Sequence, residues 1–241
     1  MFTRILSAVG LVAGLALGLA TPASATTIDY FLTVDGCSSG CGASNYGTVQ
    51  ISDIAGGVSV SVTLAPGIEF VNTGALSGEA FVFSLTGHPD ITITNLTTAD
   101  FSVGDSTGSS PPDISAGGTF GSFDYGITCS GCGIGGSDPK AGPINFDISG
   151  VTTSMFTDGL KNGTETGIFF VVDIINTNTL VCNADNVCVN PTGRVGAPGG
   201  NIVECLPGIE CVVTPEPITL SLFGAGLLGA VAITRRRRKL A

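Results

Sequence analysis

Apolar and hydroxyl residues alternate at a period of two, in short runs cut by glycine and proline. Val58, Val60, Val62 and Leu64 alternate with Ser59, Ser61 and Thr63. Ile144, Phe146 and Ile148 alternate with Asn145, Asp147 and Ser149, and Ile91 and Ile93 with Thr92 and Thr94. Phe123, Tyr125 and Ile127 do so against Asp124 and Gly126. Such a run puts one face of a strand in a core and the other in water. Glu79 to Leu85 and Ile168 to Ile175 are denser in apolar residues and read as central strands. Ala55-Gly56-Gly57, Ala65-Pro66-Gly67, Thr86 to Asp90 and Gly142-Pro143 read as the turns between strands. The expectation is an all-β fold, an antiparallel β-sandwich of jelly-roll or Ig-like type with roughly nine to eleven strands. One short helix is expected within Thr152 to Lys161, and Gly104 to Gly118 reads as an exposed loop.

Charge is unevenly placed. Only 12% of the chain is charged, which argues against long solvated helices. Six of the nine basic residues are Arg4, Arg235, Arg236, Arg237, Arg238 and Lys239, at the two ends. Residues 26–214 hold 18 acids against three bases, a net charge of −15. That field repels nucleic acid and anionic lipid, so no nucleic-acid partner is expected. A single histidine excludes multi-histidine metal sites and leaves histidine-based catalysis with one candidate.

The ends read as addresses. Arg4, the uncharged run Ile5 to Ala20 and the small-residue pattern Ala23-Ser24-Ala25 make residues 1–25 a secretory signal peptide, with a mature chain starting at Thr26. At the other end, Thr214-Pro215-Glu216-Pro217 is an extended joint, because two prolines fix φ and bar a helix. Ile218 to Thr234 follows without a charge; as a helix its 17 residues would be about 26 Å long, at the short limit for a bilayer. Arg235 to Lys239 would hold that helix end in the cytoplasm. The chain thus divides into a signal peptide (1–25), an exported sandwich (26–182), a Gly/Pro-rich extension or stalk (183–214) and a terminal signal with one transmembrane helix (215–241).

The order Pro215-Glu216-Pro217, short apolar span with Gly224, Gly226 and Gly229, then Arg235, Arg236, Arg237 and Arg238, resembles the PEP-CTERM sorting signal. The resemblance covers the last 27 residues. It implies recognition and removal of the tail by a membrane protease-transpeptidase of the exosortase family, in Gram-negative bacteria that make exopolysaccharide. The same segment is found on some ice-binding proteins and so carries that label too. The order of segments between residues 47 and 174 also looks like that of many exported domains bearing this tail, which supports a sandwich and adds no catalytic residue.

Eight cysteines fall into four close couples: Cys37 with Cys41, Cys129 with Cys132, Cys182 with Cys188, and Cys205 with Cys211. Export favours disulfides, and pairing within each couple is expected, although eight cysteines allow 105 connectivities. Such short loops gain about 2–3 kcal/mol each and would staple loops rather than the core. Zinc on Cys37, Cys41, Cys129 and Cys132, or a redox pair at Cys129-Ser130-Gly131-Cys132, are the alternatives.

Other motifs carry less. The G-x-S-x-G strings around Ser38 and Ser106 lack the strand-turn-helix context of a hydrolase, and His88 follows one serine but precedes the other. His88 reads as a polar turn residue. Gly131 to Gly136 is followed by no helix, so it is no dinucleotide loop. Asn183 to Asn186 shows no spaced calcium loop. Thr92, Thr94, Thr97 and Thr98 could form a flat hydroxyl face, and more often such residues are the wet side of a strand. No metal and no cofactor is expected.

The sequence is therefore expected to be an exported, non-enzymatic surface or extracellular-matrix protein, with a structural or adhesive role linked to exopolysaccharide or biofilm. It would be anchored in the inner membrane by Ile218 to Thr234 until an exosortase cuts it. The rivals are a carbohydrate-, Ca²⁺- or ice-binding module and a two-carboxylate glycan hydrolase or lyase.

Overall fold

A computed structural model describes residues 26–202 except 109–112, 160–162 and 183–185. The expected signal peptide and the terminal transmembrane helix lie outside the described residues. So do Cys205 and Cys211, the fourth couple of the expected disulfide set.

In chain order the strands are β1 (Thr27–Phe31), β2 (Val34–Asp35), β3 (Gly47–Ile54), β4 (Gly57–Leu64), β5 (Ile68–Phe70), β6 (Glu79–Leu85), β7 (Thr92–Thr94), β8 (Ser102–Val103) and β9 (Ile114–Ser115). They continue as β10 (Ser122–Phe123), β11 (Tyr125–Thr128), β12 (Ile144–Ser149), β13 (Phe156–Thr157), β14 (Ile168–Asn176), β15 (Val181–Cys182), β16 (Cys188–Val189), β17 (Thr192–Pro198) and β18 (Asn201–Ile202). A six-stranded sheet runs β18-β1-β3-β4-β12-β7, and an eight-stranded sheet runs β2-β17-β14-β6-β11-β8 with β13 beside β6 and β5 beside β14. Every ladder between these strands is antiparallel. The all-β sandwich expected from the alternation is therefore the observed fold, with more and shorter strands.

The periodic residues build the core. Val58, Val60 and Val62 of β4 and Ile144, Phe146 and Ile148 of β12 are buried on one face of the six-stranded sheet. Phe81, Phe83, Tyr125, Phe170 and Val172 oppose them from the eight-stranded sheet, in one cluster. Strands β6 and β14 are buried on both faces. Val82 and Val171 point into a second cluster with Leu76, Ile114, Phe120 and Phe123. This explains their dense apolar composition.

Four expectations need correction. Among the described residues of Thr152 to Lys161 only Thr153–Met155 is helical, as a single 3₁₀ turn, and Phe156–Thr157 then pairs with β6. The tract Gly104 to Gly118 is not wholly exposed. Its Ile114 and Ala116 are buried, and the short helix α1 (Gly117–Phe120) follows, placing Phe120 over the eight-stranded sheet. The stalk expected from residue 183 instead supplies β17, hydrogen-bonded between β2 and β14, so the sandwich continues to residue 202. Finally, the alternation at residues 123–127 breaks at Asp124. Phe123 faces the second cluster, Tyr125 and Ile127 face the first, and Asp124 is fully buried.

Among the described residues no helix is long and apolar enough to cross a membrane.

Candidate functional site

Three of the four cysteine couples are closed within themselves, as Cys37–Cys41, Cys129–Cys132 and Cys182–Cys188. The disulfide expected between Cys205 and Cys211 falls on residues outside the described ones, so the observed set is three bonds where four were expected. The first bond is built around Asp35 at the end of β2. Its Oδ1 accepts the Cys37 amide at 2.9 Å, and its Oδ2 accepts the Cys41 amide at 2.7 Å and the Tyr46 hydroxyl at 2.6 Å. Burial, then the bond to Asp35, pushes the Tyr46 phenol up to about 12. Asp35, Cys37 and Cys41 bring three ligand-type atoms within 4.8 Å. Both sulfurs are bonded to each other, so the set offers one carboxylate and no thiolate. The zinc alternative on Cys37, Cys41, Cys129 and Cys132 loses its four thiolates in the same way.

The buried polar group that sequence reasoning missed is Asp124. It lies in the kink between β10 and β11, and its Oδ2 is 2.9 Å from Nδ1 of His88. His88 sits in the turn after β6 with φ +48°, a left-handed conformation that swings the ring back onto the sheet. Desolvation raises the Asp124 carboxyl, and the bond to His88 draws it partly back. Oδ1 of Asp124 and Oγ of Ser84 are buried without a hydrogen-bond partner. A carboxylate on Nδ1 orients an imidazole and fixes its tautomer. The same turn is tied down by the Tyr125 hydroxyl, which donates to the Pro89 carbonyl at 2.6 Å. The only sequence signal was a polar residue in a Gly-His-Pro-Asp turn, because the covering of Asp124 comes from a loop 36 residues away.

Two further carboxylates are sheltered. Glu79 accepts the Thr128 hydroxyl at 2.7 Å and is raised mainly by burial. Asp173 on β14 is fully buried, accepts both polar groups of Thr73, and is pushed up to about 6 by burial, with the two Thr73 hydrogen bonds and then Arg194 opposing.

The serine strings lie in loops. Ser38 is in the turn inside the first disulfide, and Ser106 is in the loop after β8, where its carbonyl accepts the Ile91 amide at 3.1 Å. Neither precedes a helix on a nucleophile elbow. The four threonines do not share one face. Thr92 and Thr94 lie exposed on edge strand β7, Thr97 bonds the Asn145 backbone, and Thr98 has φ +76°. Asn183 to Asp185 and the tail residues Pro215, Glu216, Pro217, Arg235, Arg236, Arg237 and Arg238 lie outside the described residues.

Residues 213–238 match the family model of the PEP-CTERM protein-sorting motif. Neither a curated protein nor a solved structure matches the chain. The chain thus carries the PEP-CTERM protein-sorting motif, which supports export and sorting by an exosortase. Nothing among these findings supports the ice-binding label.

Proposed function

We propose that this chain is an exported surface or extracellular-matrix protein, released from the inner membrane when an exosortase cuts near Pro215-Glu216-Pro217. Its sandwich then has a structural or adhesive role linked to exopolysaccharide and works without catalysis. The sorting motif at residues 213–238 carries the reading. The three disulfides fit an oxidising compartment, and the net charge of −15 over residues 26–214 fits a soluble, nucleic-acid-free surface.

The test is mass spectrometry of the native protein from membrane and medium fractions, with and without reduction and alkylation. The expected form starts at Thr26, lacks the residues beyond the Pro-Glu-Pro region and resists alkylation until reduced. An added mass on its new C-terminus would mark covalent attachment. A tail intact through Ala241 in every fraction would make the protein a plain membrane-anchored one and end the matrix reading.

A further inference from the structure

The outer face of the six-stranded sheet is a shallow trough. Strand β4 runs down its middle and turns Ser59, Ser61 and Thr63 outward, because Val58, Val60 and Val62 between them are buried. Longer side chains flank this floor. Gln50 of β3 and Asn145 of β12 lie on either side of Ser61, and Asp147 of β12 lies beside Ser59. Asp29 of β1 stands next to Gln50. From Gly57 to Thr63 the floor is about 20 Å long, and the flanking strands β3 and β12 are about 10 Å apart. None of these floor and flank residues is buried. At one end, in the row of Thr48 and Thr63, the Phe31 ring is 39% exposed.

The flanks are held in place. The Gln50 side-chain amide donates to Oδ1 of Asp29 at 2.9 Å, and the Asn95 amide donates to Oδ2 of Asp147 at 2.6 Å. Asn95 does so from a left-handed conformation just after β7, at φ +54°. Among the described residues, the Ser59 and Ser61 hydroxyls and the Asn145 side chain have no protein partner, so they are left to serve a ligand.

Charge and shape select the occupant. Lys140, Lys161 and Arg194, the three bases of residues 26–214, lie on none of β1, β3, β4, β7 and β12. With a net charge of −15 behind it, the face repels acidic polymers. A helix about 10–12 Å across is too wide to lie between the flanks. An extended peptide is held at a sheet edge by backbone groups, which a face does not offer. An uncharged chain dense in hydroxyls, with an apolar C–H face for the Phe31 ring, matches the groups present. We infer that a neutral polysaccharide chain lies along β4 in this trough. Ser59, Ser61, Gln50 and Asn145 bond its hydroxyls, and one of its rings stacks on Phe31. The inference rests on the adhesive reading above and names the polymer class and the face that holds it.

The native protein, disulfides intact, is run in non-denaturing gels cast with β-glucan, dextran or galactomannan as neutral polymers. Alginate is the acidic polymer and glycol chitosan the cationic one. At least one neutral polymer should retard the wild type, and alginate should not. Ser59→Gln with Ser61→Gln fills the floor without adding charge, and Phe31→Ala removes the stacking ring from an exposed position. Each should weaken the retardation at least fivefold. Ser102→Gln, on exposed strand β8 of the other sheet, should be retarded like the wild type. Melting curves establish that each variant is folded, and Phe31→Ala decides alone if the floor variant is not. Undiminished retardation of the folded trough variants would overturn the trough and leave the adhesive reading standing. Retardation by glycol chitosan or alginate alone would overturn the neutral class. No retardation of the wild type by any polymer would overturn the inference and the adhesive reading together, while the mass of the tail judges sorting separately.

Discussion

Oδ2 of Asp173 receives both the amide and the hydroxyl of Thr73, at 2.7 and 2.6 Å, across one hundred residues of chain. The pair pins the loop after β5 onto the outer face of the eight-stranded sheet, where Arg194 also reaches the Ala75 carbonyl at 3.4 Å. The other oxygen, Oδ1, is buried without a partner.

That geometry sets a pH dependence. Burial raises the Asp173 carboxyl from 3.8 to about 6, so the fold favours its protonated form. A raised carboxyl contributes stability that is fully present below the ordinary value and is lost as pH rises through the folded one. The interval from 3.8 to about 6 corresponds to about 3 kcal/mol. Asp173→Asn keeps an oxygen for Thr73 and cannot ionise. Urea unfolding at pH 4 and pH 7 should show a pH difference smaller by about 2 kcal/mol in Asp173→Asn than in the wild type, because at pH 4 the unfolded carboxyl is already partly ionised. An unchanged difference would show that Asp173 ionises freely in the fold.

Phe83 gives the second prediction. Its ring contacts those of Phe81, Tyr125, Phe146 and Phe156, at centroid separations of 5.2 to 6.1 Å, and it has no exposed surface. Phe146 belongs to the opposite sheet, so this cluster joins the two layers of the sandwich. Truncation leaves a cavity walled by rigid rings that cannot collapse into it. Phe83→Ala should cost about 4 kcal/mol in chemical unfolding. Phe31→Ala, at an exposed position on β1, should cost under about 1 kcal/mol.

These residues also show why some of the fold was readable. Val58, Val60 and Val62, like Ile144, Phe146 and Ile148, obey a local rule, because one sheet face is wet and the other is not. β6 and β14 were readable as central strands because both faces demand apolar residues. Strand β17 was not, and the reason is packing. The ring of Phe120 lies against Gly36 and Gly196, where a Cβ on either would collide with it. Gly196, in the tract that suggests a loose stalk, is there to admit a ring from 76 residues away. Asp124 escaped for a similar reason, since the loop that buries it is distant in sequence. The three closed cysteine couples were legible because each closes a loop of at most six residues. The sorting motif was legible because its chemistry lies in the order of short segments and not in a packed site.

Asp35 is the third case. One carboxylate satisfies two amides of the first disulfide loop and the Tyr46 hydroxyl, which is otherwise desolvated. Asp35→Ala leaves the buried Cys41 amide and Tyr46 hydroxyl without that acceptor and should cost about 2 kcal/mol. Asp35→Asn retains one oxygen and should cost less. Urea midpoints of the two variants decide the matter, and an equal cost would mean that the loop rests on the disulfide alone.

The tail gives the last prediction, and it turns on charge. Moving a cationic cluster across a bilayer is costly, so Arg235 to Arg238 are expected to stay in the cytoplasm and leave the Pro-Glu-Pro joint on the opposite side. Replacing all four with Glu removes that bias. Processing at the tail should stop, with a chain that still starts at Thr26 but retains its mass through Ala241. Replacing all four with Lys keeps the charge and loses the planar fork of the guanidinium. If the cluster acts through topology alone, the Lys chain is cut at the wild-type rate. A Lys chain that inserts correctly yet keeps its tail would instead show that the processing enzyme reads the guanidinium groups themselves. Intact mass and protease accessibility of the exported domain, measured together on the three chains, separate these outcomes.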